Sequence, residues 1–207
     1  IKNSVEEFNS KNILKKKGIS FMPVCFGISF TNTMMNQASA LVHIYTDGSV
    51  SVSTAAVEMG QGVNEKMINI ASKVFSIDKV KVKVESTNTT RVANTSPTAA
   101  SSAADLNGNA LLFACNSLLA RLKKHVAELL KLDDEKNIEL VDGKILYNEN
   151  ETELDWNKLI RSANQHRISL TAQAFYATPD IHFDKKKEQG HPFAYHVYGT
   201  AITEVTV

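Results

Sequence analysis

The chain has 207 residues, 43% of them hydrophobic, which is enough to bury a core as one ordinary domain or two small ones. Its 23 basic and 22 acidic residues leave a net charge of +1, which argues against nucleic acid or an anionic membrane surface as a partner. Cysteine occurs only at Cys25 and Cys115, far apart and in no paired motif, which favours a reducing compartment and a cytoplasmic location, and no apolar run approaches the length of a membrane span.

Val5 to Lys17 reads as a short helix with Val5, Phe8 and Leu14 apolar, stopped by "KKKG" at residues 15–18. The run "ISFMPVCFGISF" that follows is apolar and β-rich, punctuated by Pro23 and Gly27. Ala40–Tyr45 and Val50–Ser53 are two strands joined by "TDGS", in which Asp47-Gly48 signals a hairpin. After "GQG" at residues 60–62, Val63, Met67, Ile70 and Val74 recur at helical spacing. The alternation of "VKVKVE" predicts a strand over 80–85 with one solvated face.

The strongest helix runs from Ala99 to Leu130, with Leu111, Cys115, Leu118, Leu122, Val126 and Leu129 as one apolar stripe. The acidic, turn-rich stretch beyond it carries a second hairpin signal at Asp142-Gly143. A short helix over 154–163 and strands over 168–175 and 195–207 complete the chain. The class is α+β, with mixed sheets and packed helices. A soft boundary near Leu132 separates portions 1–131 and 132–207 of one domain, and the non-Met start and terminal strand "YGTAITEVTV" suggest a piece truncated at both ends.

Two loops stand out as candidates for chemistry. In the first, Gly60 and Gly62 let the backbone approach a ligand, the following helix start offers N–H groups, and Gln61 can donate and accept at once; glycines before a helix are also ordinary turn chemistry. In the second, "VANTSPTAASSAADLNG", Ser96 and Pro97 fit an N-cap and first helical turn, but small residues dominate the next turn. Thr98, Ala99, Ala100, Ser101 and Ser102 leave room for a ligand to lie against backbone donors, so capping and ligand cradle stand level here. The six histidines form neither HExxH nor a Cys/His cluster, which argues against a metal held by protein side chains. Glu58 and Glu85 are either general bases or, more in keeping with exposed carboxylates, solvated or capping groups.

The motifs "FGISFTNTMMNQASALVHIYTDGSVSVS", "EMGQGVNEKM", "NTSPTAASSAADLNG", "SLTAQAFYATPDIHF" and "HPFAYHVYGTAITEV" occur in order over essentially the whole chain. Together they resemble the molybdenum-cofactor-binding region of the xanthine oxidase family of molybdenum hydroxylases, on the xanthine dehydrogenase side. The resemblance implies a molybdopterin cofactor whose dithiolene, not a protein side chain, holds the metal. It assigns Gly60, Gln61, Gly62 and the turn Thr98, Ala99, Ala100, Ser101, Ser102 to the cofactor, and Phe30 and Thr31, with Ala99 and Ala100, to the substrate.

The implied reaction is hydroxylation of a purine, hypoxanthine or xanthine to urate, with water as the oxygen source. Electrons would pass through 2Fe–2S clusters to FAD, carried on other domains or a separate subunit of an oligomeric enzyme, and on to NAD or oxygen. The family's catalytic glutamate lies in a downstream glycine-rich segment, so this piece supplies no catalytic residue and is expected to be inactive alone. It would need the remainder of the molybdenum domain as its partner. The chain departs from the family in having Ala55, Ala56 and Val57 where paired glycines and a threonine are usual, and Glu65 where a threonine is usual. An aldehyde oxidase-type hydroxylase, or a non-catalytic paralogue acting as a scaffold domain, are the alternative readings.

Overall fold

A computed structural model describes residues 1–207. In chain order its first elements are α1 (Lys2–Lys11), β1 (Lys17–Ile28), β2 (Gln37–Ile44), β3 (Val50–Thr54), α2 (Val63–Phe75), β4 (Val82–Val84) and α3 (Ala103–Leu130). They are followed by β5 (Ile138–Val141), β6 (Lys144–Tyr147), β7 (Asn150–Asp155), α4 (Trp156–Gln165), β8 (Thr171–Ala177), β9 (His182–Asp184), β10 (Gln189–His191) and β11 (Tyr195–Thr206). The α+β class holds. Two compact units form, one from Ile1–Ile28 with Phe193–Val207 and the other from Ser29–Pro192.

In the smaller unit β1 and β11 form an antiparallel ribbon twelve residues long, from Lys17 opposite Thr206 to Ile28 opposite Tyr195. α1 ends at Lys11, short of the expected Lys17, because Asn12 turns extended and the chain enters β1 at Lys17. The Asn9 side chain fixes that entry: its amide donates to the Lys17 carbonyl (2.8 Å) and its oxygen accepts from the Lys17 N–H (2.7 Å). Lys17 also pairs with Glu204 across the ribbon at 2.7 Å.

The larger unit is built on a four-stranded sheet in the order β4-β3-β2-β8, with β3–β4 parallel and the other pairs antiparallel. β2 alternates as its sequence does, burying Ala38, Ala40, Val42 and Ile44. Against this sheet lies α3, with α2 packed on α3. Leu111, Cys115, Leu118, Leu122 and Val126 are buried as the stripe predicts, while Leu129 lies toward solvent. Each such aliphatic side chain contributes about 1.5–3 kcal/mol on burial. α2 buries Val63, Met67, Ala71 and Phe75, with Ile70 and Val74 packed at the edge of the same core.

The core continues across position 132 without a break: Ile138, Ile145, Trp156, Leu159 and Ile160 belong to the same cluster as Leu118 and Leu122. Both DG hairpins form, β2–β3 around Gly48 and β5–β6 around Gly143. They meet at α4, where Trp156 Nε1 donates to the Gly48 carbonyl at 2.7 Å and the indole lies 5.3 Å from the Phe75 ring. The strand expected over 80–85 is confined to β4, because Asp78 accepts from the Val80 N–H and turns Lys79–Lys81 into a 3₁₀ segment. The short hairpin β9–β10, which the sequence did not predict, carries no period long enough to read.

Candidate functional site

The loop between β3 and α2 is held by its own side chains. Glu58 accepts backbone N–H groups from Gly60 (3.0 Å), Gly62 (2.9 Å) and Asn64 (3.0 Å). These bonds, that from Asn64 foremost, hold its carboxyl below the usual carboxylate range. The capping reading of Glu58 is therefore the one realised. It also corrects an expectation: the donors at the start of α2 are not free for a ligand, because this carboxylate already fills the N-terminal end of the helix. Gly60 and Gly62 sit at φ +99° and +75°, where a side chain is strained, and this lets the N–H groups of alternate residues 60, 62 and 64 turn inward toward one carboxylate.

Gln61 closes the same loop from the other side. Its Nε2 donates to the Val57 carbonyl at 2.7 Å and its Oε1 accepts from the Met59 N–H at 2.6 Å, so one amide uses both halves of its capacity. Val57 in turn donates its N–H to Thr98 Oγ1 at 2.9 Å. The two loops chosen from sequence are thus tied by a continuous path, Gln61 to Val57 to Thr98, through main-chain atoms of Val57 that do not depend on its side chain.

The second loop does not cap α3 as expected. Neither Ser96 nor Pro97 begins the helix; α3 starts at Ala103, four residues later than predicted, with Ser102 at its N-cap. The cause is the backbone of Ala100 and Ser101, both left-handed at φ +50° and +52°, in a turn closed by the Ser102 N–H donating to the Ala99 carbonyl at 3.2 Å. Left-handed backbone costs an alanine or serine roughly 1–2 kcal/mol per residue. Such strain concentrates where function requires a particular chain path. Ser96 instead anchors the segment by donating its N–H to the Gln37 carbonyl at 3.3 Å.

Together the loops line a cleft of about 490 Å³. Gln61, Met59 and Lys66 border it on one side and Thr98, Ala99, Ala100 and Ser101 on the other. Ala103 and Ala104 widen the floor because their side chains are short. Of the remaining candidates, Gly60 and Gly62 shape the first loop, while Ser102 is buried and its hydroxyl donates to the Ala99 carbonyl at 3.1 Å, so it holds the turn rather than facing the cleft. Phe30 and Thr31 do not border this cleft. The Phe30 main chain is clasped by the buried Asn36 side chain through bonds of 2.8 and 2.9 Å, and Thr31 faces a separate depression beside His182, Phe183 and Asp184.

Sequence reasoning passed over Lys66, the cation at the cleft, and Val57, the link between the loops; the first lies one helical turn after Gly62, which was the available signal. Glu65, the departure next to Lys66, points away into an exposed pair with Lys79 at 2.7 Å. Glu85 is held by Lys83 and Arg91, which keep its carboxyl below the usual range, Lys83 foremost.

A cleft with small walls, a left-handed turn on one side, a bifunctional amide on the other and one lysine suits a flat, polar, anionic ligand. Such a ligand finds hydrogen-bond donors, space against main chain and a counter-charge in one place. These features fit molybdopterin, whose pterin ring and phosphate need those three things.

Fold and site define an α+β domain with a cleft suited to a flat, polar cofactor. Among solved structures, quinoline 2-oxidoreductase from Pseudomonas putida 86 superposes with TM-score 0.76 at 17% identity, over 99% of this chain and 26% of that one. The aldehyde oxidoreductase from Desulfovibrio gigas superposes with TM-score 0.74 at 20% identity, over 100% and 20%. The model of the family described as "Molybdopterin cofactor-binding domain" matches residues 1–207, and the chain belongs to that family. It is 41% identical over 206 residues to xanthine dehydrogenase/oxidase of Gallus gallus and 39% identical to xanthine dehydrogenase 1 of Arabidopsis thaliana. In both cases the match covers 100% of this chain but 14% of the relative's length.

Proposed function

We propose that this chain is the molybdopterin-gripping portion of a molybdenum hydroxylase that oxidises purines, hypoxanthine and xanthine to urate. The observation that carries the proposal is the convergence of Gln61 and the Thr98–Ser101 turn on one cleft, in a chain whose whole length aligns with xanthine dehydrogenases. When bound, the molybdenum centre supplies the redox chemistry and transfers oxygen from water to the substrate carbon.

The chain's own residues bind and orient. Gln61 shapes the cleft wall through its bonds to Val57 and Met59, the Ala100–Ser101 main chain offers donors along a wall without bulk, and Lys66 supplies positive charge. No base for the reaction is assigned within the chain: Glu58 is engaged by three main-chain donors and Glu85 by two cations. Proton abstraction falls to a residue elsewhere in the parent protein, together with FAD, 2Fe–2S clusters and any second subunit. Two free cysteines support a reducing, cytoplasmic setting.

The test uses the polypeptide extended to the length of its relatives. It should carry molybdenum and turn xanthine into urate, and Gln61→Ala and Ala100→Leu should each lower molybdenum content several-fold while the far-ultraviolet circular dichroism is unchanged. Full molybdenum in both variants would place the cofactor elsewhere. Faster turnover of an aliphatic aldehyde than of xanthine would favour the aldehyde oxidase-type alternative.

A further inference from the structure

The β1–β11 ribbon carries apolar side chains on both faces. On one, Phe21 lies opposite Ile202 and Cys25 opposite Tyr198; on the other, Met22 lies opposite Ala201 and Phe26 opposite Val197. Phe21 is 70% exposed, Tyr198 75% and Met22 66%. Sheets that face water on one side alternate apolar with polar, whereas strands covered on both sides are apolar throughout. The Met22 face comes near the second pattern, with Val24, Phe26, Tyr195 and Val205 adding to it, while the other face sets Phe21, Ile202, Cys25 and Tyr198 among Thr200, Glu204 and His196.

Its edges tell the same story. β1 and β11 pair only with each other, so each strand turns an outer row of main-chain groups away from its partner, of which Asn9 takes those of Lys17 at the end of β1. Long, flat, apolar edges of this kind invite further strands, and soluble proteins guard them with charge, proline or short length. One proline, Pro23, interrupts β1, and the Lys17–Glu204 pair sits at one end only. A two-stranded ribbon is also marginal by itself in water.

We propose that the ribbon is the inner pair of a larger sheet, and that further strands from the same polypeptide, outside these 207 residues, extend its two edges and bury both faces. The occupant is set by length: the matching stretch makes up 14% of the chicken relative and 26% of the superposed quinoline oxidoreductase chain, so covering structure is available within one chain. The inference rests on the reading of this chain as part of such a longer enzyme.

Cys25 lies within β1 and is exposed, whereas Cys115 is buried in α3 and serves as an internal control. N-ethylmaleimide labelling read by peptide mass spectrometry, with amide hydrogen exchange over 17–28 and 195–206, compares this chain with the polypeptide extended to the length of its relatives. The expected result is labelling of Cys25 and amide exchange at least tenfold slower in the extended protein, with Cys115 protected in both. Equal rates in the two proteins would overturn the proposal. Protection that appears in the 207-residue chain and grows with its concentration would also overturn it, assigning the surface to a second copy. Molybdenum is measured on the same samples: an open ribbon in molybdenum-replete protein defeats this inference alone, and a protected ribbon in protein that never takes up molybdenum defeats the cofactor reading alone.

Discussion

At the scale of single residues, the site depends on groups that hold main chain in place. Glu58 is the clearest case. Replacing it with alanine frees three donors at once, so Glu58→Ala should loosen the 57–62 loop and reduce molybdenum content in the extended protein more than Glu58→Gln, which keeps one acceptor oxygen. Because its folded pKa is depressed, its contribution is present above the ordinary carboxylate value and is lost as pH falls through the folded value.

His125 works in the opposite chemical sense. It is buried between α3 and α4, its Nε2 within 3.0 Å of Ser162 Oγ, with the His166 ring tilted against it at 5.0 Å and Glu128 nearby. Burial first, and then His166, lowers its pKa from 6.5. Above that value folded and unfolded states are both neutral; below it the unfolded chain takes up a proton that the fold resists. Stability should therefore fall as the pH drops below 6.5, and the thermal midpoint of His125→Gln should vary less over that range.

At the scale of elements, turns decide more than helices do. Ala100 tests the strained turn before α3. Ala100→Gly relieves left-handed strain but adds unfolded-state freedom, so the two terms of about 1 kcal/mol nearly cancel, whereas Ala100→Val should destabilise by more than about 1 kcal/mol. Chemical denaturation of the two variants checks the contrast. Gly48 tests the hairpin–α4 joint. Its φ is +85°, and an added Cβ would meet Asn157 and Trp156, so Gly48→Ala should cost about 2 kcal/mol or more by adding strain to overpacking. The periodic parts of these elements were legible in the sequence: the α3 stripe, β2 and both DG hairpins follow from local pattern. The start of α3 was not, because Ser96-Pro97 is a sound local capping signal that a left-handed turn two residues later overrides.

At the scale of the whole molecule, two loops separated by α2 and β4 in sequence share one cleft, and a twelve-residue ribbon stands with apolar side chains on both faces. On the proposed function, the first property would seat the cofactor and the second would join the domain to the rest of the polypeptide. Truncating Leu118 to alanine in the core of the larger unit should cost about 2–5 kcal/mol, measured by thermal or urea unfolding, since the side chain is fully buried where α3 meets the sheet.

Class, periodic helices and strands, hairpins and the two loops at the cleft were legible along the chain, because those features arise from side-chain spacing and turn chemistry within a few residues. The three-dimensional structure was needed to see that Glu58 takes the donors of α2, that Val57 ties Gln61 to Thr98 through its main chain, that Ser102 turns inward, and that Phe30 and Thr31 border no part of the same cleft. Apart from the Val57–Thr98 bond, which joins distant parts of the chain, the hydrogen bonds among these are short-range but made to main-chain atoms. Main-chain donors and acceptors are the same at nearly every position, so no residue type announces where they will meet.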